Sequence, residues 1–352
     1  LSRLAPGTAG TLWAWAAFLV LQRLGVTEAG WGYLIAASLP LGWWACTRTA
    51  QHLGTADPGA IVWDEVVAFW IVLWLVMPAG LLAQAVEIYR GTKQDVATSP
   101  FAIEDSEGHR WFGASRAETF FTSSYFMFPA GGGAPVLLPI PKKASPQGVF
   151  ADTLLVTLDE DWSPEGQSTF KSGDLVGFSW SAFLKDGKLP KVDLVFRPTA
   201  KQALQGVGIT KNNVLLNISD NVVVKVMAYA RDGANWTSKE VPLPPNGSAG
   251  VIFSDNEETT AFLGYEGYLS PDSLYSYDSA TGAVAALRQL PAWFDASPYQ
   301  VDQHEATSKD GTKVPYFVVH KKDIKLDGSN PTLVYGYGGF QVSQTPGYSG
   351  TV

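Results

Sequence analysis

Apolar positions in residues 1–80 come in long unbroken runs; after residue 80 they alternate with polar ones in short bursts. Residues 4–22 and 29–47 are uncharged over 19 positions each, close to the ~20 that span a hydrocarbon layer as helix. Pro40 interrupts the second run, and a third, residues 66–77, stops at Pro78, where a helix ends or kinks. The pattern predicts helices in or on a membrane, or else the buried core of a helical domain. Beyond Pro78-Ala79-Gly80 the period changes. "GVFADTLLVTLDEDW", "GDLVGFSWSAFL", "KVDLVFRP", "NNVLLNISD" and "NVVVKVMAYARDG" are short β-rich runs bounded by Gly, Asn, Asp and Pro. A propeller blade takes about 40–50 residues, so roughly four to five blades fit in this stretch. A β-sandwich fits the same pattern.

Charge and tryptophan place the break at the same point. Residues 1–80 carry only seven charges (Arg3, Arg23, Arg48, Glu28, Asp57, Asp64 and Glu65) and eight of the 13 tryptophans. A shift that sharp marks a domain boundary at residues 78–80. Tryptophans at the edges of the runs favour a membrane interface. The net charge of −8 offers no basic face for phosphate backbones, which excludes nucleic acid as a partner. With one cysteine, Cys46, no intrachain disulfide forms, and the four histidines fit no zinc pattern. His304 reads as a polar residue on a strand.

In "APGTAGTLWAW", Thr8 and Thr11 stand with two glycines at the start of an apolar helix. Exposed N–H groups and hydroxyls there suit a phosphate, although either threonine also suits an N-cap. In "ADPGAIVWDEVVAFW", Asp57 lies in a Pro-Gly turn and Asp64-Glu65 open an apolar helix. These carboxylates suit the helix dipole and equally a hard divalent ion such as Mg²⁺. Adjacent helix positions diverge, so Asp64 and Glu65 need a further ligand to share one ion.

"PGTAGTL", "TAQHLG" and "DPGAIVWDEVV", in this order over residues 5–67, resemble phosphatidylglycerophosphatase A, a helical Mg²⁺-dependent phosphatase of the bacterial inner membrane. The resemblance implies metal or active-site roles for Asp57, Asp64 and Glu65, phosphate-side roles for Thr8 and Thr11, and a membrane lipid as substrate. Only the N-terminal half of that family's pattern is matched. Its second Asp-containing helix, its Lys-Pro-x-Pro stretch and its late Asp-Asp pair have no counterpart here.

Further on, "VDQHEATSKDGTKVPYFVVHKK" predicts a hairpin with Asp310-Gly311 as a two-residue turn. "NPTLVYGYGGFQVSQTPGYSG" then predicts a strand ending in Tyr335-Gly336-Tyr337-Gly338-Gly339-Phe340. Glycines after a strand let backbone approach a ligand closely; an aromatic strand end packed in a core is the alternative. From about residue 82 the chain is similar to the prolyl oligopeptidases, serine peptidases with a propeller over an α/β-hydrolase domain. "AQAVEIYRG", "QLPAWFDAS", "IKLDGSNPTLVYGYGGF" and above all "YGYGGF" carry the similarity. It implies that Tyr337 donates its hydroxyl to an oxyanion hole, that Phe340 lines the pocket for the residue before the cleaved bond, and that short peptides are the substrates. It implies no cofactor.

The resulting fold class is mixed: an N-terminal α-helical, membrane-associated segment (residues 1–80), a partial all-β propeller (81–300), and the first strands of an α/β-hydrolase domain (301–352). Neither "GASRA" nor "GFSWS" completes the Gly-x-Ser-x-Gly elbow that carries such a nucleophile. The sequence therefore reads as parts of two hydrolases, truncated at both ends, joined without a linker by a recombined or misassembled reading frame and without turnover of its own. A working membrane lipid phosphatase and a non-catalytic membrane-tethered β module are the alternatives. The expected setting is the inner membrane, with the β part cytosolic or periplasmic. An open arc of blades leaves strand edges that favour self-association.

Overall fold

The structure, a computed structural model, describes residues 6–53, 62–76, 87–233, 235–337, 339 and 343–350. The chain separates into two compact units, Leu1–Arg90 and Gly91–Val352. The compositional break at residues 78–80 lies just before this boundary and outside the described residues.

Among the described residues of the first unit there are three helices: α1 (Pro6–Arg23), α2 (Glu28–Leu53) and α3 (Trp63–Val76). Proline suits the first helical position, so α1 begins at Pro6 and takes both Thr8 and Thr11 inside it, which removes the N-cap reading for both. Val66, Val67, Trp70 and Leu73 form one buried stripe of α3, the spacing of an amphipathic helix face. The stripe packs with Ala14 and Phe18 of α1 and Trp31 and Ile35 of α2. Trp31 stacks on Phe18 at 4.3 Å, and Trp70 donates its indole N–H to the Ala14 carbonyl at 2.9 Å. No helix of the described residues is long and apolar enough to cross a membrane. The helix α3 has only 14 residues, α1 is diluted by Gly, Thr and Gln, and α2 carries Glu28, Arg48 and His52. Helices of spanning character, expected from the uncharged runs, are thus not found here.

The second unit is β-rich. Among the described residues its first sixteen strands form four consecutive four-stranded groups, and the last two form a hairpin. Blade 1 is β1 (Ala97–Glu104), β2 (Arg110–Thr119), β3 (Thr122–Met127) and β4 (Val136–Leu137). Blade 2 is β5 (Ala144–Phe150), β6 (Thr153–Leu158), β7 (Leu175–Ser179) and β8 (Val192–Phe196). Blade 3 is β9 (Gln202–Ile209), β10 (Val214–Asp220), β11 (Val223–Asp232) and β12 (Asn235–Glu240). Blade 4 is β13 (Ser248–Phe253), β14 (Thr260–Gly267), β15 (Ser270–Asp278) and β16 (Val284–Gln289). Within each blade neighbouring strands are antiparallel, and one parallel pairing, Val224 with Ser248, links blades 3 and 4. The first strands β1, β5, β9 and β13 lie side by side in that order. That is propeller order, not the face-to-face sheets of a sandwich.

Local chemistry explains the turns. Ala151-Asp152 and Asn221-Val222 both sit at positive φ, at 44° and 61° and at 52° and 64°, the backbone of a two-residue hairpin turn. The Asp152 carboxylate accepts from the Ser179 hydroxyl at 2.7 Å and the Ser181 N–H at 2.8 Å. Ser179, the central serine of "GFSWS", caps the short helix α4 (Trp180–Asp186) through the Ala182 N–H. Its role is structural.

Candidate functional site

The helical unit holds a groove of about 560 Å³ between α2 and α3, lined by Leu34, Leu41, Cys46, Trp63 and Trp70, and none of the candidate residues is among its lining. The Trp63 indole donates to the Ser38 carbonyl at 3.2 Å and lies so close over Gly42 that any Cβ there would sit 1.9 Å from its nitrogen. Asp64 and Glu65 stand in the first turn of α3, both exposed, as the apolar run predicted. Burial, and after it the Asp64 carboxylate, pushes up the pKa of the Cys46 thiol in the groove wall. Thr11 is half-buried on α1, while the Thr8 side chain and Asp57 lie outside the described residues. Two carboxylates suit Mg²⁺ chemically, but among the described residues no third ligand joins Asp64 and Glu65. The three-ligand group that does form is elsewhere: Asp105, Glu107 and His109, on the exposed β1–β2 turn, with ligand atoms within 4.8 Å of one another.

In the β unit the candidate residues follow the hairpin β17 (Tyr299–Thr307) and β18 (Lys313–Lys321). The hairpin is as expected; its loop is not. Ser308 N–H bonds the Thr312 carbonyl at 2.8 Å, Gly311 has φ 87°, and the loop is Lys309-Asp310-Gly311. Glycine at the left-handed position closes a three-residue loop rather than a two-residue one. The hairpin is tied to blade 3: Lys201 pairs with Glu305, and the Gln303 amide donates to the Asn221 carbonyl at 2.5 Å. A polar cleft of about 320 Å³ lies at this junction, lined by Asp220, Lys225, Glu240, Asn246 and Gln303.

Tyr337 does not sit on a strand. Residues 330–337 make no ladder, and Leu333, Val334 and Tyr335 are 78%, 88% and 81% exposed. A buried strand needs a neighbour on each side, and the described residues supply none at this stretch. The Tyr337 hydroxyl folds over Gly339, where a Cβ would meet it at 2.7 Å. Phe340 lies outside the described residues.

His304 is exposed on β17, as read from the sequence, with its ring 5.6 Å from Tyr316. Its neighbour pair was not foreseen. His320 Nε2 lies 2.8 Å from Asp302 Oδ2 and Nδ1 2.8 Å from the Lys321 carbonyl, with the side chain only 10% exposed. Gln300 also bonds Asp302, at 3.0 Å. The signal was present: Gln300 and Asp302 share one face by alternation, and Gln300 faces His320 across the ladder. Asp302 raises the His320 pKa, helped by the Lys321 carbonyl, and His320 followed by Gln300 lowers that of Asp302. Charged His320 adds stability that is complete below the ordinary imidazole range and lost as pH rises through its raised value. Charged Asp302 adds stability that is lost as pH falls through its lowered value. Hydrogen-exchange protection of the hairpin, corrected for intrinsic rate, is therefore expected to be higher near pH ~6 than near pH ~9. His320→Gln should remove that difference.

Comparison with known proteins follows this division. Residues 1–101 match the family model for phosphatidylglycerophosphatase A, running past the compositional break into β1. Residues 185–289, from the end of α4 through blade 4, match the prolyl oligopeptidase N-terminal β-propeller domain. An uncharacterized peptidase of Sinorhizobium fredii is 38% identical over 271 residues, 76% of this chain and 37% of that protein. A prolyl endopeptidase of Elizabethkingia meningoseptica is 30% identical over 129 residues, 37% of this chain and 18% of that one. The solved post-proline cleaving enzyme of Rickettsia typhi superposes with a TM-score of 0.65 at 30% identity, over 76% of this chain and 39% of its own. The chain thus spans less than two-fifths of the length of these relatives. In chain order, then, it carries a segment that resembles phosphatidylglycerophosphatase A and a longer segment that resembles the prolyl oligopeptidases.

Proposed function

We propose that residues 91–352 are the lid and the oxyanion-side segment of a prolyl oligopeptidase-type serine peptidase acting on short peptides. The observation that carries this reading is the order of parts: four propeller blades, then a hairpin bonded to blade 3, then "YGYGGF". In this reading Tyr337 donates its hydroxyl to the oxyanion, and Phe340 forms one wall of the pocket for the residue before the cleaved bond. The exposed Leu333, Val334 and Tyr335 are the face that a hydrolase sheet would cover. These 352 residues contain no Gly-x-Ser-x-Gly, so by themselves they bind or cover but do not cleave. A serine-directed phosphonate probe tests this: the chain should stay unlabelled, and labelling at a serine contradicts the reading.

The helical unit supports a second reading because Asp64 follows Trp63, which lines an apolar groove of about 560 Å³. Here Asp57, Asp64 and Glu65 would hold Mg²⁺, which would neutralise phosphate charge, while Thr8 and Thr11 would face the phosphate of a membrane lipid at the inner membrane. Mg²⁺-dependent phosphate release from phosphatidylglycerophosphate, abolished by Asp64→Asn, is the expected result if this site works. Release that Asp64→Asn leaves unchanged removes Asp64 from the role. The absence of a linker at the join fits two reading frames brought together rather than one evolved enzyme.

A further inference from the structure

The stretch that carries Tyr337 is tied at both ends to one short connector, residues 293–298, which leads from blade 4 to β17. At the near end the Lys322 N–H donates to the Pro298 carbonyl at 2.9 Å, and the Lys322 ammonium donates to the Ser297 carbonyl at 2.8 Å. At the far end the Trp293 N–H donates to the Tyr348 hydroxyl at 2.8 Å. The Tyr348 ring stacks on Phe294 with centroids 5.5 Å apart and planes 13° from parallel. Blade 4 holds the far end as well. Glu266 of β14 accepts the Tyr348 N–H at 2.8 Å, and Ser248 of β13 donates to the carbonyl of the buried Pro346 at 2.6 Å. Gly350 lies against the Trp293 ring with no room for a Cβ.

These ties are of the stronger kinds. A peptide N–H on a carboxylate is a charge-assisted bond, and stacked rings gain energy beyond the area they bury. Fixing both ends of a loop removes much of its conformational freedom. The stretch between has few other means of order: residues 330–337 make no ladder, and Leu333, Val334 and Tyr335 are exposed. Resting on the reading of Tyr337 as an oxyanion donor, we infer that the connector and blade 4 set where its hydroxyl stands, with Glu266 and Tyr348 as positioning residues. In this role the propeller does more than cover a site, because blade 4 places one of the donors. Glu266 and Tyr348 are 82 residues apart in sequence, so no local pattern reveals the tie.

The test uses the full chain and needs no nucleophile. Amide hydrogen exchange reads the tie, and fluorine NMR of fluorotyrosine-labelled protein reads Tyr337, whose resonance is identified by its loss in Tyr337→Phe. Glu266→Ala should speed exchange of the Tyr348 amide about tenfold or more and shift or split the Tyr337 resonance, while the amides of β14 keep their protection. Glu266→Gln retains an oxygen acceptor and should restore most of both readouts. Should Glu266→Ala unfold blade 4, Ser248→Ala, which removes only the bond to Pro346, repeats the test in milder form. A Tyr337 resonance that stays put while Tyr348 exchange rises overturns the inference. So does a Tyr348 amide indifferent to these substitutions, or a glutamine as disruptive as alanine. Phosphonate labelling of a serine contradicts the reading of the segment and leaves both readouts as they are, so the two failures stay distinct.

Discussion

Purified polypeptide of these 352 residues is expected to hydrolyse proline-containing peptides no faster than buffer, and to leave a fluorophosphonate probe unreacted while a complete prolyl endopeptidase is labelled in parallel. The size of the loss follows from chemistry. Removing the nucleophile from a serine peptidase costs about 10⁶ in rate, and what remains comes from the oxyanion hole and substrate binding. Here Ser179, the serine nearest in pattern to an elbow, is committed to capping α4 and to the Asp152 carboxylate. Among the described residues its hydroxyl bonds Asp152, Ser181 and the Ala182 N–H, and no histidine is among these partners. Tyr337→Phe should change nothing measurable in this polypeptide. Where a nucleophile is present, loss of one oxyanion donor costs about 10²–10³. A serine-dependent turnover that Tyr337→Phe reduces would show an active site that this account does not contain.

Leu155→Ala should lower stability by about 2–5 kcal/mol, read as the shift of a denaturant midpoint or a thermal transition. Leu155 and its neighbour Leu154 are both fully buried, because β6 is packed on both faces. They point into different cores: Leu154 toward blade 1, Leu155 toward blade 3. Leu154→Ala should therefore cost a similar amount while loosening the other interface, and hydrogen exchange should rise on β2 and β3 for one and on β10 for the other. Leu290→Ala is the control. Leu290 is 53% exposed, and its truncation should fall within about 0.5 kcal/mol of no effect. Equal costs at Leu155 and Leu290 would mean that the blades do not pack as described.

Much of this architecture was legible because its signals are local. Positions of α1, α2 and α3 follow from the uncharged runs, and β8, β10 and β11 from β-branched bursts bounded by Asn, Asp and Pro. The turn inside "GVFADTLLV" was harder to see, since Ala151-Asp152 adopts positive φ without a glycine to announce it. Tertiary bonding by Asp152 to Ser179 and Ser181 accompanies that backbone, and no local rule reads it. The site residues divide in the same way. Asp64 and Glu65 fall where helix periodicity puts them. Asp302 and His320 meet only through strand register, and the blade 1–blade 4 contact joins residues about 150 apart in sequence. Tyr337 was expected on a strand because its neighbours are β-formers; a strand also needs partners, which sequence pattern does not count.

The junction decides what the two halves mean together. Amplification across the codons for residues 70–90 from source DNA, with primers outside both segments, tests it most directly. This account predicts no product spanning the join, with a phosphatidylglycerophosphatase A gene and a prolyl oligopeptidase gene recovered separately. A product carrying the join would contradict it, making the two-unit chain a single gene product.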